Sequence, residues 1–273
     1  MNLTSPSQVK DWCIKNGFHP NRVMGQNFLV DKNVLCAIVD AGLGERESYD
    51  GVKALEIGPG LGVMTEEMLS RGCSVTAIEK DPVLAERLPA ALGNSPSLNV
   101  IAADALDVVA KKSLDFSAYD CMISNLPYQA GTRILLDIAS TRALETIVVM
   151  VQSEVADRLA ASEGSKTRSL AGVWVQLDYD VKVIRKVSAS CFWPRPEVGS
   201  AVVRLIRHDR NADLPEQTRV MYRRLVKKAF EHRRKQLGSI FKGVLDSTER
   251  AEELSCEEWI SIASALCAEG ISI

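Results

Sequence analysis

The sequence predicts an α/β protein: a doubly wound, mostly parallel sheet of seven strands, followed by a small all-helical domain. Three observations carry this. Short apolar runs alternate with helical patterns from Val52 to Val151. Two more strand-like runs, Asp180 to Val187 and Ser200 to Ile206, follow with no helix between them, as an antiparallel addition would. Beyond Pro215 the apolar residues recur only at helical spacing.

The elements follow in order. Ser5-Pro6 opens a first helix, with proline at its first position and Gly17 as its stop. Gly25 to Leu29 reads as a polar and aromatic loop. A second helix is capped near Asp31 and closed by Gly42, with Val34, Leu35, Ile38 and Val39 as its buried stripe. Core strands are expected at Val52–Ile57, Cys73–Ile78, Leu98–Ala102, Tyr119–Ser124 and Leu144–Val151. Helices are expected at Val63–Ser70, from Pro82 to Leu92 behind an Asp81 cap, and around Thr132–Ser140. Ser153–Ala161 and Leu170–Leu177 look helical, and Phe192 to Glu197 is a proline-stiffened loop. His208 to Pro215 is polar and divides the chain into domains at 1–208 and 209–273.

The bulk numbers limit the function classes. Of 273 residues, 46% are hydrophobic and 25% charged, the balance of a soluble globular protein. No apolar run is long enough to span a bilayer, and the N-terminus lacks a signal-peptide layout. A cytoplasmic location with no membrane partner is the expectation. The seven cysteines include no C-x-x-C pair, so reduced thiols are expected and no metal site. Net charge is −2, yet nine basic residues against one acid lie between Arg219 and Lys242. Such a block suits nucleic-acid phosphates, although a charge run is commonly a solvated helix face.

Chemistry gathers at the predicted strand ends. Gly58, Gly60 and Gly62 follow a strand and precede a helix, so backbone there can approach a ligand. Val63 stands where a dinucleotide fingerprint needs glycine, and no Gly-Lys-Ser/Thr follows to make a P-loop. Glu79, at the next strand tip, can accept both hydroxyls of a ribose, as in sites for NAD or S-adenosylmethionine. Asp104, at the third, can accept an adenine amine. Singly, each acid reads more readily as a helix cap or solvated strand end. At the fourth tip, Asn125-Leu126-Pro127-Tyr128 offers an amide oxygen for an exocyclic amine and a ring to stack on a base. Alone it is a strand-ending turn; beside the two acids it points to methyl transfer onto an amine.

The combination resembles the small-subunit (16S) ribosomal RNA adenine N6-dimethyltransferases. The matching stretches are Gly25–Leu29, Leu55–Gly62, Ile78-Glu79, Asp104-Ala105, Asn125–Tyr128, Phe192–Glu197 running into Gly199–Leu205, and Phe230–Gln236. The resemblance implies a Rossmann-like, S-adenosylmethionine-dependent methyltransferase sheet, with the N-terminal helices as a lid. It implies that Asn27, Leu29, Gly58, Glu79, Asp104 and Asn125 line the cofactor site. Asn125, Leu126, Pro127 and Tyr128 would hold the target adenine, with Phe192 as a second stacking face. Arg223, Arg224, Lys227, Arg233, Arg234 and Lys235 would contact RNA. The implied reaction puts two methyls on N6 of each of two adjacent adenosines in the 3′-terminal hairpin loop. The implied enzyme is a monomer acting on small-subunit rRNA within a 30S assembly intermediate.

The chain departs from the family pattern at Met24, Gln129, Glu197, Gly199 and around Leu170. Leu61 and Leu126 favour this branch over the related large-subunit rRNA methyltransferases of macrolide resistance. A third reading is an RNA-binding assembly or transcription factor without turnover, against which Glu79, Asp104 and Asn125 stand.

Overall fold

The strands run as β1 (Phe28–Leu29), β2 (Lys53–Ile57), β3 (Ser74–Glu79), β4 (Leu98–Ala102), β5 (Cys121–Asn125), β6 (Thr146–Gln152), β7 (Tyr179–Val187), β8 (Phe192–Trp193) and β9 (Ser200–Arg207). This is a computed structural model, and it describes residues 1–21 and 24–273. Seven strands form one sheet in the order β4-β3-β2-β5-β6-β9-β7. β2 pairs in parallel with both β3 and β5, and β9 runs antiparallel to β6. The chain winds outward from β2 to β4, then returns to place β5 on the other side of β2. The β2/β5 boundary is therefore a topological switch point, and a ligand crevice is expected at its carboxyl end.

Helices cover the sheet. α1 (Pro6–Lys15) begins at its proline and α2 (Lys32–Leu43) at Asp31, whose side chain accepts from the Val34 N–H. α3 (Val63–Ser70), α4 (Pro82–Ala91), α5 (Ala105–Ala110) and α6 (Gly131–Ala139) connect the parallel strands. The predicted stripe of α2 is buried with Met64 and Met68 of α3 against Ile123, Val148 and Met150 of the sheet. Gly42 does not end α2. It lies inside the helix, where a Cβ would come within 2.5 Å of Ile123, and Gly44, with φ +67°, is the stop. Gly42 is a close-packing residue and Gly44 the left-handed one.

The two-residue strands β1 and β8 pair antiparallel, joining Phe28 to Trp193 and Leu29 to Phe192. Both segments read as loops in the sequence, because two residues carry no periodicity.

The contacts divide the chain into one unit of residues 1–156 with 182–206, and a second of 157–181 with 207–273. The expected boundary at 208/209 places the second unit's first segment wrongly. Helix α8 (Leu170–Gln176) supplies Val173, and Leu177 follows it. Both join a core made by α9 (Glu216–Glu231) and α11 (Cys256–Ala268), through Tyr222, Leu225, Val226, Trp259 and Ala263. Between α9 and α11 lies the one-turn helix α10 (Leu237–Ile240), and α7 (Ser153–Leu159) precedes α8.

Candidate functional site

In the first unit a cleft of about 400 Å³ opens at the ends of β2, β3 and β5. It collects Asn27, Leu29, Gly58, Glu79, Asp104 and Asn125, together with Leu126, Pro127 and Tyr128. Phe192 is not among the lining residues. It is 4% exposed on β8 and packs in the core beside Leu29 and Val34. The expectation of a second stacking face from Phe192 is corrected: its partner is the hydrophobic core.

The floor is glycine backbone. Gly58, Gly60 and Gly62 have φ of +68°, +59° and +89°, a region that L side chains avoid. A Cβ on Gly60 would lie 3.1 Å from the Phe28 ring, and one on Gly62 would lie 2.6 Å from Leu88. The first two glycines keep backbone open toward the cleft; the third lets α3 pack on α4.

Glu79 ends β3 and is 6% exposed. Its Oε2 accepts from the Gly60 N–H at 3.0 Å and its Oε1 from the Asp81 N–H at 2.8 Å. Burial pushes the Glu79 carboxyl above the usual range, and these two N–H donors oppose the shift. Each oxygen still has a lone pair for a ligand hydroxyl. Asp81 caps α4 and accepts from Gln26 Nε2 at 2.8 Å, which ties the 25–29 segment to the acid-bearing strand end.

Asp104 does two jobs already. Its Oδ1 caps α5 through the Leu106 N–H at 2.9 Å, and its Oδ2 pairs with Lys80 Nζ at 2.7 Å. The Lys80 ammonium holds the carboxyl below its usual range. The cap reading of Asp104 and a ligand role are compatible, because an ionised carboxylate has about four acceptor positions.

Asn125 ends β5. Its Nδ2 donates to the Asn27 carbonyl at 3.2 Å, which leaves Oδ1 as the acceptor end of the amide. Gly25, with φ +67°, lies so close that a Cβ there would stand 3.2 Å from the Tyr128 nitrogen. The two sequence stretches therefore form one wall. Leu126 is buried, and the Pro127 carbonyl accepts from the Gly131 N–H at 2.7 Å to start α6. The Tyr128 hydroxyl lies 2.6 Å from Ser200 Oγ on β9, which pins the ring. Nothing in residue type or spacing alone singles out Gln26, Lys80 or Ser200. Gln26 and Ser200 lie inside the matching stretches, but only the fold reveals their partners.

One buried acid precedes the glycine floor on β2. Glu56 on β2 is fully buried; Thr65 Oγ1 donates to its Oε2 at 2.6 Å and its Oε1 has no partner among the described residues. Desolvation pushes its carboxyl up to about 8 from 4.5. The folded state thus holds a proton that the unfolded chain releases, so this group's stabilisation is present below pH ~4.5 and is lost as pH rises to ~8. Glu56→Gln is expected to flatten the fall in thermal midpoint across that window, where the group contributes about 1.4 kcal/mol per pH unit. Parallel pH curves for the two proteins would contradict this.

The basic residues lie in the second unit and do not form one helix. α9 ends at Glu231, and Arg233, Arg234 and Lys235 lie in and just after the turn beyond it. Arg219 is 4% exposed and paired with Asp178 at 2.7 Å, so it belongs to the core. Arg233 donates to the Lys166 carbonyl at 2.6 Å and stands 3.4 Å from Glu252. Arg224, Lys227, Arg234 and Lys235 are exposed, and Arg223 is half-buried. The block of nine therefore overstates the free charge.

A mostly parallel sheet with a switch-point cleft, a glycine floor and acids on successive strand ends is the architecture of a Rossmann-like nucleoside-binding domain. The family model for ribosomal RNA adenine dimethylase matches residues 17–263. The chain belongs to that family, and is an rRNA adenine dimethyltransferase by membership. It is 39% identical to ribosomal RNA small subunit methyltransferase A of Deinococcus radiodurans, over 86% of this chain and 76% of that one. It is 34% identical to the protein of that name in Bifidobacterium longum, over 98% of this chain and 96% of the other. In fold it is similar to a dimethyladenosine transferase from Plasmodium falciparum, with TM-score 0.76 and 22% identity over 89% and 98% of the two chains. It is also similar to the 23S rRNA methyltransferase ErmE, with TM-score 0.64 and 22% identity over 88% and 100%. Among the described residues no helix is long and apolar enough to cross a membrane.

Proposed function

We propose that the protein transfers methyl groups from S-adenosylmethionine to N6 of two adjacent adenosines in the 3′-terminal hairpin loop of small-subunit rRNA. The product at each is N6,N6-dimethyladenosine. The observation that carries this reading is the Asn125 amide, fixed through its nitrogen on the Asn27 carbonyl with its oxygen left to accept.

S-adenosylmethionine, when bound, supplies a methyl carbon on a sulfonium whose leaving thioether is neutral, so no general acid is required. The cleft residues fit it. Gly58 and Gly60 leave room for close backbone approach, Glu79 accepts from ribose hydroxyls, and Asp104 accepts from the adenine amine while sharing its charge with Lys80. Asn27 and Leu29 complete the wall.

The target amine is a poor nucleophile, because its lone pair is delocalised into the ring. Asn125 Oδ1 accepts one N–H and the Leu126 carbonyl the other. The nitrogen is then biased toward tetrahedral geometry, so catalysis is positioning and electrostatics. Pro127 shapes the turn. Tyr128, pinned at its hydroxyl, stacks on the base, which is worth ~1–3 kcal/mol in comparable sites. An adenosine in a loop leaves its stack at lower cost than a paired one.

The helical second unit binds RNA through Arg224, Lys227, Arg234 and Lys235, with Arg223 and Arg233 at the margin. The enzyme acts as a monomer on a 30S assembly intermediate. Replacing the four exposed basic residues by glutamine is expected to reduce the salt slope of RNA binding by roughly 1 for each phosphate that is no longer neutralised. An unchanged slope would move the RNA surface elsewhere.

The deciding experiment is mass spectrometry of both ribosomal RNAs after incubation with protein and labelled S-adenosylmethionine. Two adjacent dimethyladenosines in the small-subunit 3′ hairpin are expected. Label confined to large-subunit RNA, or none in any RNA or particle, would overturn the assignment.

A further inference from the structure

One short peptide crosses the cleft. Gln26 and Asn27 lie between α1 and β1, and each is tied to a different strand end. On one side Gln26 Nε2 donates to Asp81 Oδ2 at 2.8 Å, just past β3. On the other the Asn27 carbonyl accepts from Asn125 Nδ2 at 3.2 Å, at the end of β5. β3 and β5 flank β2 in the sheet, so the peptide spans the tip of β2 and its glycine floor. Phe28, the next residue, packs on that floor: a Cβ on Gly60 would stand 3.1 Å from its ring.

Among the described residues, the ties from this strap to the parallel strands are made by side chains. The backbone N–H groups of Met24 and Gln26 turn back on the Asn21 carbonyl, and strand pairing starts only at Phe28. Gly25, at φ +67°, sets the bend. Gln26 uses both ends of its amide. Its Oε1 accepts from the Asn21 N–H at 2.7 Å while its Nε2 reaches Asp81. An amide bound at its oxygen and its nitrogen has one orientation. Asp81 is committed in the same way. One oxygen caps α4 through the Val83 and Leu84 N–H groups, and the other takes Gln26. Its own N–H donates to Glu79 Oε1 at 2.8 Å.

A line of hydrogen bonds therefore runs from Glu79 through Asp81 and Gln26 to the Asn27 peptide and the Asn125 amide. Its first member is the proposed ribose acceptor, and its last is the proposed acceptor of the target amine.

We infer that Gln26 is a positioning residue that couples these two sites, so that S-adenosylmethionine and the target RNA bind with positive cooperativity. The inference rests on the proposed roles of Glu79 and Asn125. Ribose hydroxyls on Glu79 fix the carboxylate that receives the Asp81 N–H. Asp81 is then held for Gln26, and the Asn27 carbonyl for Asn125. The first ligand to bind orders the strap, and the second meets a strap already in place. A plain loop anchor behaves differently: its loss weakens each ligand alone and leaves their mutual effect unchanged.

The test is equilibrium dialysis of labelled S-adenosylhomocysteine with the full chain, in the presence and absence of unmethylated 30S particles. This ligand has no methyl group to transfer, so binding is read without turnover. In wild type the particle is expected to tighten S-adenosylhomocysteine about 5–20-fold, within the usual range of coupling between sites. Gln26→Ala should lose that enhancement while still binding S-adenosylhomocysteine alone. Gln26→Glu supplies a second readout. It keeps an oxygen for the Asn21 N–H but sets a carboxyl against Asp81, with Glu79 behind it and Lys80 engaged by Asp104. Facing carboxyls share a proton as pH falls, which restores a donor to Asp81. Coupling in Gln26→Glu should be absent near pH ~8 and return toward pH ~5.5, because one pKa of such a pair is strongly raised. Gln26→Ala should show no such recovery. Wild-type binding without coupling, coupling retained in Gln26→Ala, or a pH-independent Gln26→Glu would overturn the inference and leave the cofactor assignment standing. No binding of S-adenosylhomocysteine to wild type would overturn that assignment, and the coupling with it.

Discussion

Asn125→Ala is expected to reduce methyl transfer by about 10²–10³-fold, the range seen when one preorganised polar group is removed from a charge-developing site. The loss should fall on the chemical step. In a single-turnover assay the rate at saturating RNA drops, while RNA affinity without cofactor, proposed to rest on the exposed arginines and lysines of the other unit, is unchanged. The reason is the asymmetry of the Asn125 amide. Its nitrogen is held by the Asn27 carbonyl at 3.2 Å, so its oxygen is presented in one orientation without reorganisation at the moment of reaction. Asn125→Asp separates orientation from acceptor chemistry. It keeps an acceptor oxygen but sets a carboxylate against the Asn27 carbonyl, so it should also lose most activity. Near-normal turnover in Asn125→Ala would sink the positioning mechanism.

The strand-end logic was legible because it rests on patterns the backbone imposes. Short apolar runs followed by glycine, an acid or an amide mark Gly58, Glu79, Asp104 and Asn125 from the chain alone. What the sequence hides is direction. Arg219 and Arg224 read alike as basic residues of one block, yet one faces Asp178 in the core and the other faces water. Phe192 reads as a free aromatic in a proline-rich loop. A two-residue pairing with Leu29 turns it inward, and that pairing has no signature shorter than the fold itself. Asp104 reads as either cap or ligand, and the structure gives one oxygen to the cap and the other to Lys80. The domain boundary followed composition at His208. The packing followed Val173 and Leu177, whose apolar side chains meet Tyr222 and Leu225 far along the chain. Sequence reports which residues can be buried; the partner decides which of them are.

Asp178→Ala carries the largest expected loss of stability, about 3–5 kcal/mol by the usual cost of breaking a buried pair. Asp178 is 3% exposed and Arg219 4%. The pair lies at 2.7 and 3.0 Å, and the rest of the guanidinium is bound to carbonyls that Asp178 does not supply. Removing the carboxylate therefore leaves a positive charge fixed in place, unable to turn to water or deprotonate. Asp178→Asn keeps an acceptor and should cost less. The double change Asp178→Leu with Arg219→Met removes both charges and should recover much of the loss, since a buried pair is often little better than a packed apolar one. Urea unfolding of these proteins, with the single variants Asp178→Leu and Arg219→Met, measures this directly. Additive losses in the double variant would mean the two charges do not act as a pair.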